Sequence, residues 1–314
     1  MRFALALLLS LLSSMGLAHA QRVALVVGNS DYTTLPKLKN PVQDSEAIAQ
    51  QLANLGFTVY LSNNQSATEL HKSMTRFLDV SQTAEVALLY YAGHGAALGN
   101  QSFLFSPEFS ANDQRSLASA ISLNSMLDHM GGSTTLRIVF VDACLTQIEI
   151  LSDTQTIEME PLAPLSLPGN TVASFSTTLG YAAHDGIGRH SLYSGALLDS
   201  ISRPNVEISL MLRAVNKDVI SASQGQQHPH LISNYLGAFY FNLDRNQPTP
   251  ALRQENYALA THSGFSNKTS LAVVQSGISA PVEISKSRQN QVKLVKILCS
   301  KLTGDLPKLC KSAQ

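Results

Sequence analysis

The sequence predicts an α/β fold in which helices cover both faces of a mostly parallel central sheet. From Arg22 onward, short apolar runs rich in β-branched residues alternate with amphipathic stretches. The apolar runs lack the polar alternation of a half-exposed strand, so they are typical of strands buried on both faces. Strands that alternate with helices also imply right-handed crossovers between parallel neighbours.

The first predicted elements alternate strictly between strand and helix. They are a strand at Arg22–Gly28, a helix at Asp44–Leu55 followed by Gly56, a strand at Phe57–Leu61 and a helix at Ala67–Val80. Apolar residues recur at helical spacing in both helices, and glycine is a common helix stop. These segments therefore form the first half of the expected sheet and its covering helices.

Two almost wholly apolar runs, Val86–Tyr91 and Leu136–Val141, are predicted to be central strands. The remaining predicted elements are an edge hairpin at Phe103–Phe105, a helix at Ser122–Met130, a strand at Thr171–Phe175, helices at Ser191–Ile201 and Ile208–Ser221, and a last strand at Ala238–Asn242. In such a sheet, functional loops lie beyond the carboxyl ends of the strands.

The first twenty residues have the pattern of a secretory signal peptide. A positive Arg2 precedes the apolar core Phe3–Leu17, and Ala18-His-Ala20 fits the small-x-small cleavage rule. We expect the mature protein to begin at Gln21 and to be periplasmic or secreted. The alternative is an uncleaved membrane anchor, but a span needs about twenty apolar residues. We expect no stable membrane insertion once the signal is removed.

Charge and composition limit the classes of partner. The chain has 22 Lys and Arg and 22 Asp and Glu, so its formal net charge is zero and no nucleic-acid partner is expected.

A polar, proline-bearing linker follows Asp244. Residues 21–243 are therefore the expected main domain, and residues 244–314 are a linker and small extension. No role is predicted for the extension, and no oligomeric state for the chain.

Only three cysteines are present: Cys144, Cys299 and Cys310. In an exported protein the two C-terminal cysteines can form a disulfide and leave Cys144 as a free reactive thiol, and we predict this arrangement. The alternatives are that all three thiols are reduced, or that Cys144 is an inert buried residue.

His94 and Cys144 each directly follow a predicted central strand, and both are therefore expected at the same edge of the sheet. An imidazole beside a thiol can accept its proton and later protonate a leaving amine, which suits acyl transfer. Glycines flank His94 and let a peptide backbone approach closely. They also leave the Gly95 N–H to point at a developing oxyanion.

The chain resembles the caspase-like superfamily, and within it the bacterial members related to metacaspases and paracaspases. The resemblance rests on Tyr91-Ala-Gly-His-Gly95 and Asp142-Ala-Cys144, and it extends from about Arg22 to Leu243. It implies a three-layer caspase-hemoglobinase-like sandwich and a cysteine endopeptidase that acts on peptide or protein substrates. It also implies an oxyanion hole made by the backbone N–H groups of Gly95 and Cys144. No cofactor and no metal site are expected.

The resemblance further implies a pocket for a basic side chain. Members of the metacaspase type bind that side chain with one acidic residue two positions before the cysteine and another just ahead of the first helix. The matching residues are Asp142 and Asp44, and paired carboxylates suit an arginine fork. Cleavage after Arg, with Lys second, is therefore expected, and Asp185 is a third acidic candidate. The alternatives are a helix N-cap for Asp44, a partner of loop amides for Asp142 and a turn residue for Asp185.

Departures from the family pattern concern substrate preference. Leu145 follows the cysteine where many bacterial relatives have Arg, and Ala92 stands where Ser often lines the pocket. The segment 147–168, in which many caspases are cut, contains no Lys or Arg. An enzyme specific for Arg could not cut itself there, so a single-chain enzyme is expected. The second hypothesis is a catalytically silent caspase-like module that binds a cell-envelope partner.

Overall fold

A computed structural model of the chain describes residues 21–113, 116–145, 148–151, 156–159, 165–178, 188–244 and 246. These residues all belong to the first of two compact units into which the chain divides, Met1–Gln247. The predicted signal peptide, Asp185, Cys299 and Cys310 lie outside them. Within the described residues, no helix combines the length and the apolar character needed to cross a membrane.

The strands form one large sheet and a separate hairpin. In chain order they are β1 (Arg22–Gly28), β2 (Phe57–Asn63), β3 (Val86–Leu98), β4 (Gln101–Leu104), β5 (Ile121–Ser122), β6 (Leu136–Leu145), β7 (Ile148–Leu151), β8 (Thr156–Met159), β9 (Thr171–Phe175) and β10 (His230–Ser233). The main path of the sheet is β10-β9-β6-β3-β1-β2, and β4 and β5 extend from β3. Along that path all pairs are parallel except β10 with β9. The predicted mostly parallel sheet is confirmed.

Helices cover both faces of this sheet, which gives the three predicted layers. They are α1 (Pro41–Asn54), α2 (Ala67–Ser81), α3 (Ser116–Ser119), α4 (Leu123–His129), α5 (Leu192–Ile201) and α6 (Ile208–Ala222). One core contains side chains of α1, α5 and α6, and the other contains side chains of α2 and α4. Successive residues of each central strand point into opposite cores, which explains why the strands are apolar throughout.

Strands β3 and β6 continue beyond the ends of their neighbours. β1 pairs with β3 only as far as Ala92, and β9 pairs with β6 only as far as Val141. The ladder between β3 and β6 goes on to Gly95 and Leu145. The predicted ends at Tyr91 and Val141 were therefore too early, because small residues beyond them give no apolar signal although their backbones still pair.

The predicted last strand at Ala238–Asn242 is wrong. This segment makes isolated bridges to the residues that precede α6 instead of a ladder. The edge strand of the sheet is β10, which pairs with β9. Phe239 and Phe241 are buried in the core beneath α1, α5 and α6, so their alternation reflects packing against the sheet and not strand pairing.

Helix α1 begins at Pro41, three residues before the predicted start. Proline suits the first turn of a helix because its missing N–H would have no intrahelical partner there. The N-cap is Asn40, and Asp44 lies inside the first turn. The alternative that Asp44 is a helix N-cap is therefore wrong.

Arg137 organises the amino end of β6. The residue is 7% exposed. The side chain donates hydrogen bonds to the backbone carbonyls of Met130, Gly131, Gly132, Thr135 and Gly169. One buried cation thus bonds the carbonyls of the turns that precede β6 and β9.

Candidate active site

His94 and Cys144 face each other across the extended ladder of β3 and β6. The parallel register places Cys144 directly opposite His94, and neighbouring strands of a sheet lie about 4.8 Å apart. His94 is 4% exposed. The structure therefore brings the backbones of the two predicted residues together at the carboxyl edge of the sheet, as the sequence suggested.

The imidazole of His94 is oriented by a backbone carbonyl. Its Nε2 lies 2.8 Å from the carbonyl oxygen of Pro36. A carbonyl can only accept a hydrogen bond, so Nε2 carries the proton and the lone pair is on Nδ1. No sequence pattern points to Pro36, because a contact through a backbone oxygen needs no particular side chain.

Gly95 lies where three strands meet. It pairs with Leu104 of β4 and with Leu145 of β6. A Cβ at this position would be 2.9 Å from the carbonyl oxygen of Phe103, which is closer than real Cβ contacts allow. The glycine is therefore required by the close approach of β4, independently of any role for its N–H.

Asp44 and Asp142 converge on Ser191, the N-cap residue of α5. The Ser191 N–H donates to Asp44 Oδ2 at 3.2 Å, and the Ser191 hydroxyl donates to Asp142 Oδ2. Ser194 Oγ donates to the same Asp142 oxygen at 2.7 Å. Both carboxylates are buried, with exposures of 1% and 8%. The partners shown for Asp142 are hydroxyls, whereas the alternative interpretation expected loop amides.

His190 contacts the second carboxylate oxygen of Asp44. Its Nδ1 donates to Asp44 Oδ1 at 2.6 Å, and its side chain is 25% exposed. Burial and the charge of Asp142 raise the pKa of Asp44 to about 6, although the hydrogen bonds from His190 and Ser191 oppose the shift. No sequence pattern indicates a role for His190, Ser191 or Ser194, since their partners lie far away along the chain.

This raised pKa predicts a pH effect on stability. From pH 4 to pH 6, the unfolded chain loses the Asp44 proton while the folded chain keeps it, so the stability of the folded chain falls as pH rises. Asp44→Asn removes this dependence. The free energy of unfolding of Asp44→Asn minus that of the natural chain should therefore increase by about 1–3 kcal/mol from pH 4 to pH 7. Urea denaturation across this range measures the change.

The control for this experiment is Asp218→Asn on α6, where the side chain is exposed. Its stability should follow that of the natural chain at every pH. If the curve of Asp44→Asn also runs parallel to that of the natural chain, the raised pKa of Asp44 is contradicted.

Metal-ligand clusters are absent from the part of the chain that the structure describes. There, no group of three or more His, Cys, Asp or Glu side chains could hold a metal ion.

Comparisons with known proteins show the family of the chain. Residues 21–240 match the model of the caspase domain family. Over 202 residues the chain is 28% identical to mucosa-associated lymphoid tissue lymphoma translocation protein 1 of Homo sapiens, a match that covers 63% of this chain and 24% of that protein. The Mus musculus homologue is also 28% identical over 202 residues, with 63% and 23% covered. The chain thus spans about a quarter of the length of these curated relatives.

A solved structure supports the same fold. The crystal structure of caspase-1 from Spodoptera frugiperda matches with a TM-score of 0.53 and 17% identity, over 74% of this chain and 94% of that chain. The family model covers most of the sequence, including β3, β6 and the residues that converge on Ser191. The chain therefore belongs to the caspase domain family and carries a caspase-like protease domain.

Proposed function

We propose that this chain is an exported cysteine endopeptidase that cleaves peptide bonds after a basic residue, with Arg preferred. The observation that carries the proposal is the register of β3 and β6, which places Cys144 opposite His94. The Pro36 carbonyl holds the proton of the imidazole on Nε2, so Nδ1 is the nitrogen that can act as a base. Export is part of the proposal because the first twenty residues carry a signal-peptide pattern.

The proposed reaction uses one proton carrier. His94 Nδ1 takes the proton of the Cys144 thiol, and the thiolate attacks the scissile carbonyl. The backbone N–H groups of Gly95 and Cys144 stabilise the oxyanion. As the carbon–nitrogen bond breaks, the imidazolium gives its proton to the leaving amine, which leaves a thioester. Water, deprotonated by the same imidazole, then hydrolyses the thioester and restores the thiol.

The specificity proposal rests on the paired carboxylates. Asp44 and Asp142 share Ser191 as a partner and are both buried. Above pH 6 the Asp44 carboxyl ionises, so two negative charges are present in a space of low exposure. A guanidinium is the side chain that best balances two neighbouring carboxylates, because its planar fork can donate to both.

Paired reporter peptides test this specificity. The residue before the scissile bond is either arginine or citrulline, which has a similar shape but carries a neutral urea. We expect kcat/KM to be about 100-fold or more higher for the arginyl peptide at pH 7.5, because the charge is recognised in a desolvated pocket. A lysyl peptide should fall between the two.

The variant Asp142→Asn should remove most of this preference. It keeps the size of the side chain but loses one charge, so kcat/KM for the arginyl peptide should fall by about 100-fold. The citrullyl peptide serves as the internal control and should change by no more than about threefold. Equal losses on both peptides would show that Asp142 supports the fold or the chemistry and does not recognise the substrate.

A further inference from the structure

The backbone of His94 is held by a side chain at the point where β1 has ended. β1 pairs with β3 up to Ala92, so His94 lies beyond it. In place of a further β1 residue, the hydroxyl of Tyr32 accepts the His94 N–H at 2.7 Å. Tyr32 belongs to residues 29–40, the β1–α1 loop. A side chain of this loop thus extends the support that β1 gives to β3.

The same loop also contacts the imidazole. The ring of Tyr32 meets the His94 ring edge-on, with 4.5 Å between centroids and an interplanar angle of 64°. Pro36, four residues further along the loop, accepts from Nε2 at 2.8 Å. The loop therefore fixes both the backbone of His94 and the direction of its ring.

The Tyr32 hydroxyl has little freedom to move. It lies 3.2 Å from the Phe105 carbonyl and 3.2 Å from the Tyr91 hydroxyl, which itself donates to the His94 carbonyl at 2.6 Å. Burial raises the pKa of both phenols, so both remain neutral donors. A Cβ on Gly93 would lie 2.6 Å from each hydroxyl. The glycine before His94 thus leaves space for this pair of tyrosines.

We propose that Tyr32 is a positioning residue for the proton transfer between His94 and Cys144. Its hydroxyl holds the His94 backbone at its position along β3, and its ring packs against the imidazole, which keeps Nε2 in reach of the Pro36 carbonyl. This inference rests on the cysteine-peptidase function proposed above. A displacement of about 1 Å between reacting groups can slow catalysis about 100-fold. A residue that prevents such a displacement of His94 is therefore expected to change kcat more than it changes KM.

Tyr32→Phe tests the hydroxyl because it keeps the ring. We expect kcat for the arginyl peptide to fall by about 10- to 100-fold while KM stays within about threefold. Tyr32→Leu, which also removes the ring, should lower kcat further. The matched control is Tyr193→Phe, which removes another buried hydroxyl, one that lies 2.8 Å from Ser174 Oγ. Its kcat should stay within about twofold of the natural value.

A second measurement separates positioning from a general loss of structure. In chains labelled with nitrogen-15 histidine, the Nε2 proton of His94 is protected by its bond to Pro36. Its exchange with solvent should be at least about tenfold faster in Tyr32→Phe and unchanged in Tyr193→Phe. Melting curves of both variants show whether either loses more stability than the other.

The outcomes distinguish the two proposals. If the natural chain cleaves the arginyl peptide and Tyr32→Phe matches Tyr193→Phe in kcat and in proton exchange, the role of Tyr32 is overturned and the proposed function stands. If the natural chain cleaves none of the reporters, the proposed function fails. The exchange measurement then still decides whether Tyr32 holds the imidazole, and unchanged exchange in Tyr32→Phe overturns that as well.

Discussion

Cys144→Ala is expected to abolish peptide cleavage, with kcat lowered by about 10⁴-fold or more. The alanine keeps the backbone of β6 and its register with His94 but has no sulfur to form the thioester. The fold should be unaffected, because the β3–β6 ladder is made by backbone groups. The measurement is the initial rate on the arginyl peptide at saturating concentration, with melting curves of both chains to confirm equal folding.

His94→Ala provides the companion to this test. Residues that act as one unit show non-additive losses, so the double variant should be no slower than Cys144→Ala alone. Iodoacetamide should alkylate Cys144 much faster in the natural chain than in His94→Ala, because a thiolate is the reactive form. Equal alkylation rates would contradict activation by His94 and would favour a catalytically silent module that binds a cell-envelope partner.

Arg137→Met is expected to cause a large loss of stability without a specific loss of catalysis. Arg137 is buried, and its guanidinium donates to the carbonyls of the turns before β6 and β9. Methionine fills similar volume but leaves those carbonyls without their donor, so the free energy of unfolding should fall by about 3–5 kcal/mol. Urea denaturation at pH 7.5 measures the change.

Arg137 lies at the opposite end of β6 from Cys144, so its loss should affect stability and not peptide cleavage. Cys144 is seven residues after Arg137, a distance of ~23 Å along an extended strand, so kcat of the folded fraction should remain near the natural value. The control is Arg213→Met, an exposed position on α6, where the change should stay within about 0.5 kcal/mol. A cost below about 1 kcal/mol for Arg137→Met would mean that the turns hold their shape without the guanidinium.

The core of the fold could be predicted from the sequence because strands buried on both faces consist almost wholly of apolar residues. Strands such as β1 and β9 were found with correct bounds, since each residue points into one of two apolar cores. The ends of β3 and β6 were missed because polar and small residues such as Gly93, His94 and Asp142 interrupt the apolar pattern while their backbones still pair. Phe239 and Phe241 led to the opposite error, a strand predicted where none forms. Their alternating apolar side chains pack in the core, but their backbones make only isolated bridges.

At the candidate site, the side chains with distinctive chemistry could be predicted from the sequence. The residues that contact and orient them could not. His94, Cys144, Asp44 and Asp142 stand in recognisable short motifs. Pro36 acts through a carbonyl. Tyr32 and His190 are 62 and 146 residues away from their partners along the chain. Such contacts become visible only when the chain is folded.

The shared register of β3 and β6 restricts how the length of these strands can change. Side chains alternate between the two faces of a strand, so inserting a single residue into β6 ahead of Asp142 would shift the remaining strand by one step. Ala143 would then stand opposite His94 in place of Cys144, and Asp142 would turn away from Ser191. Single-residue insertions and deletions within β6 should therefore be eliminated by selection even where substitutions are accepted.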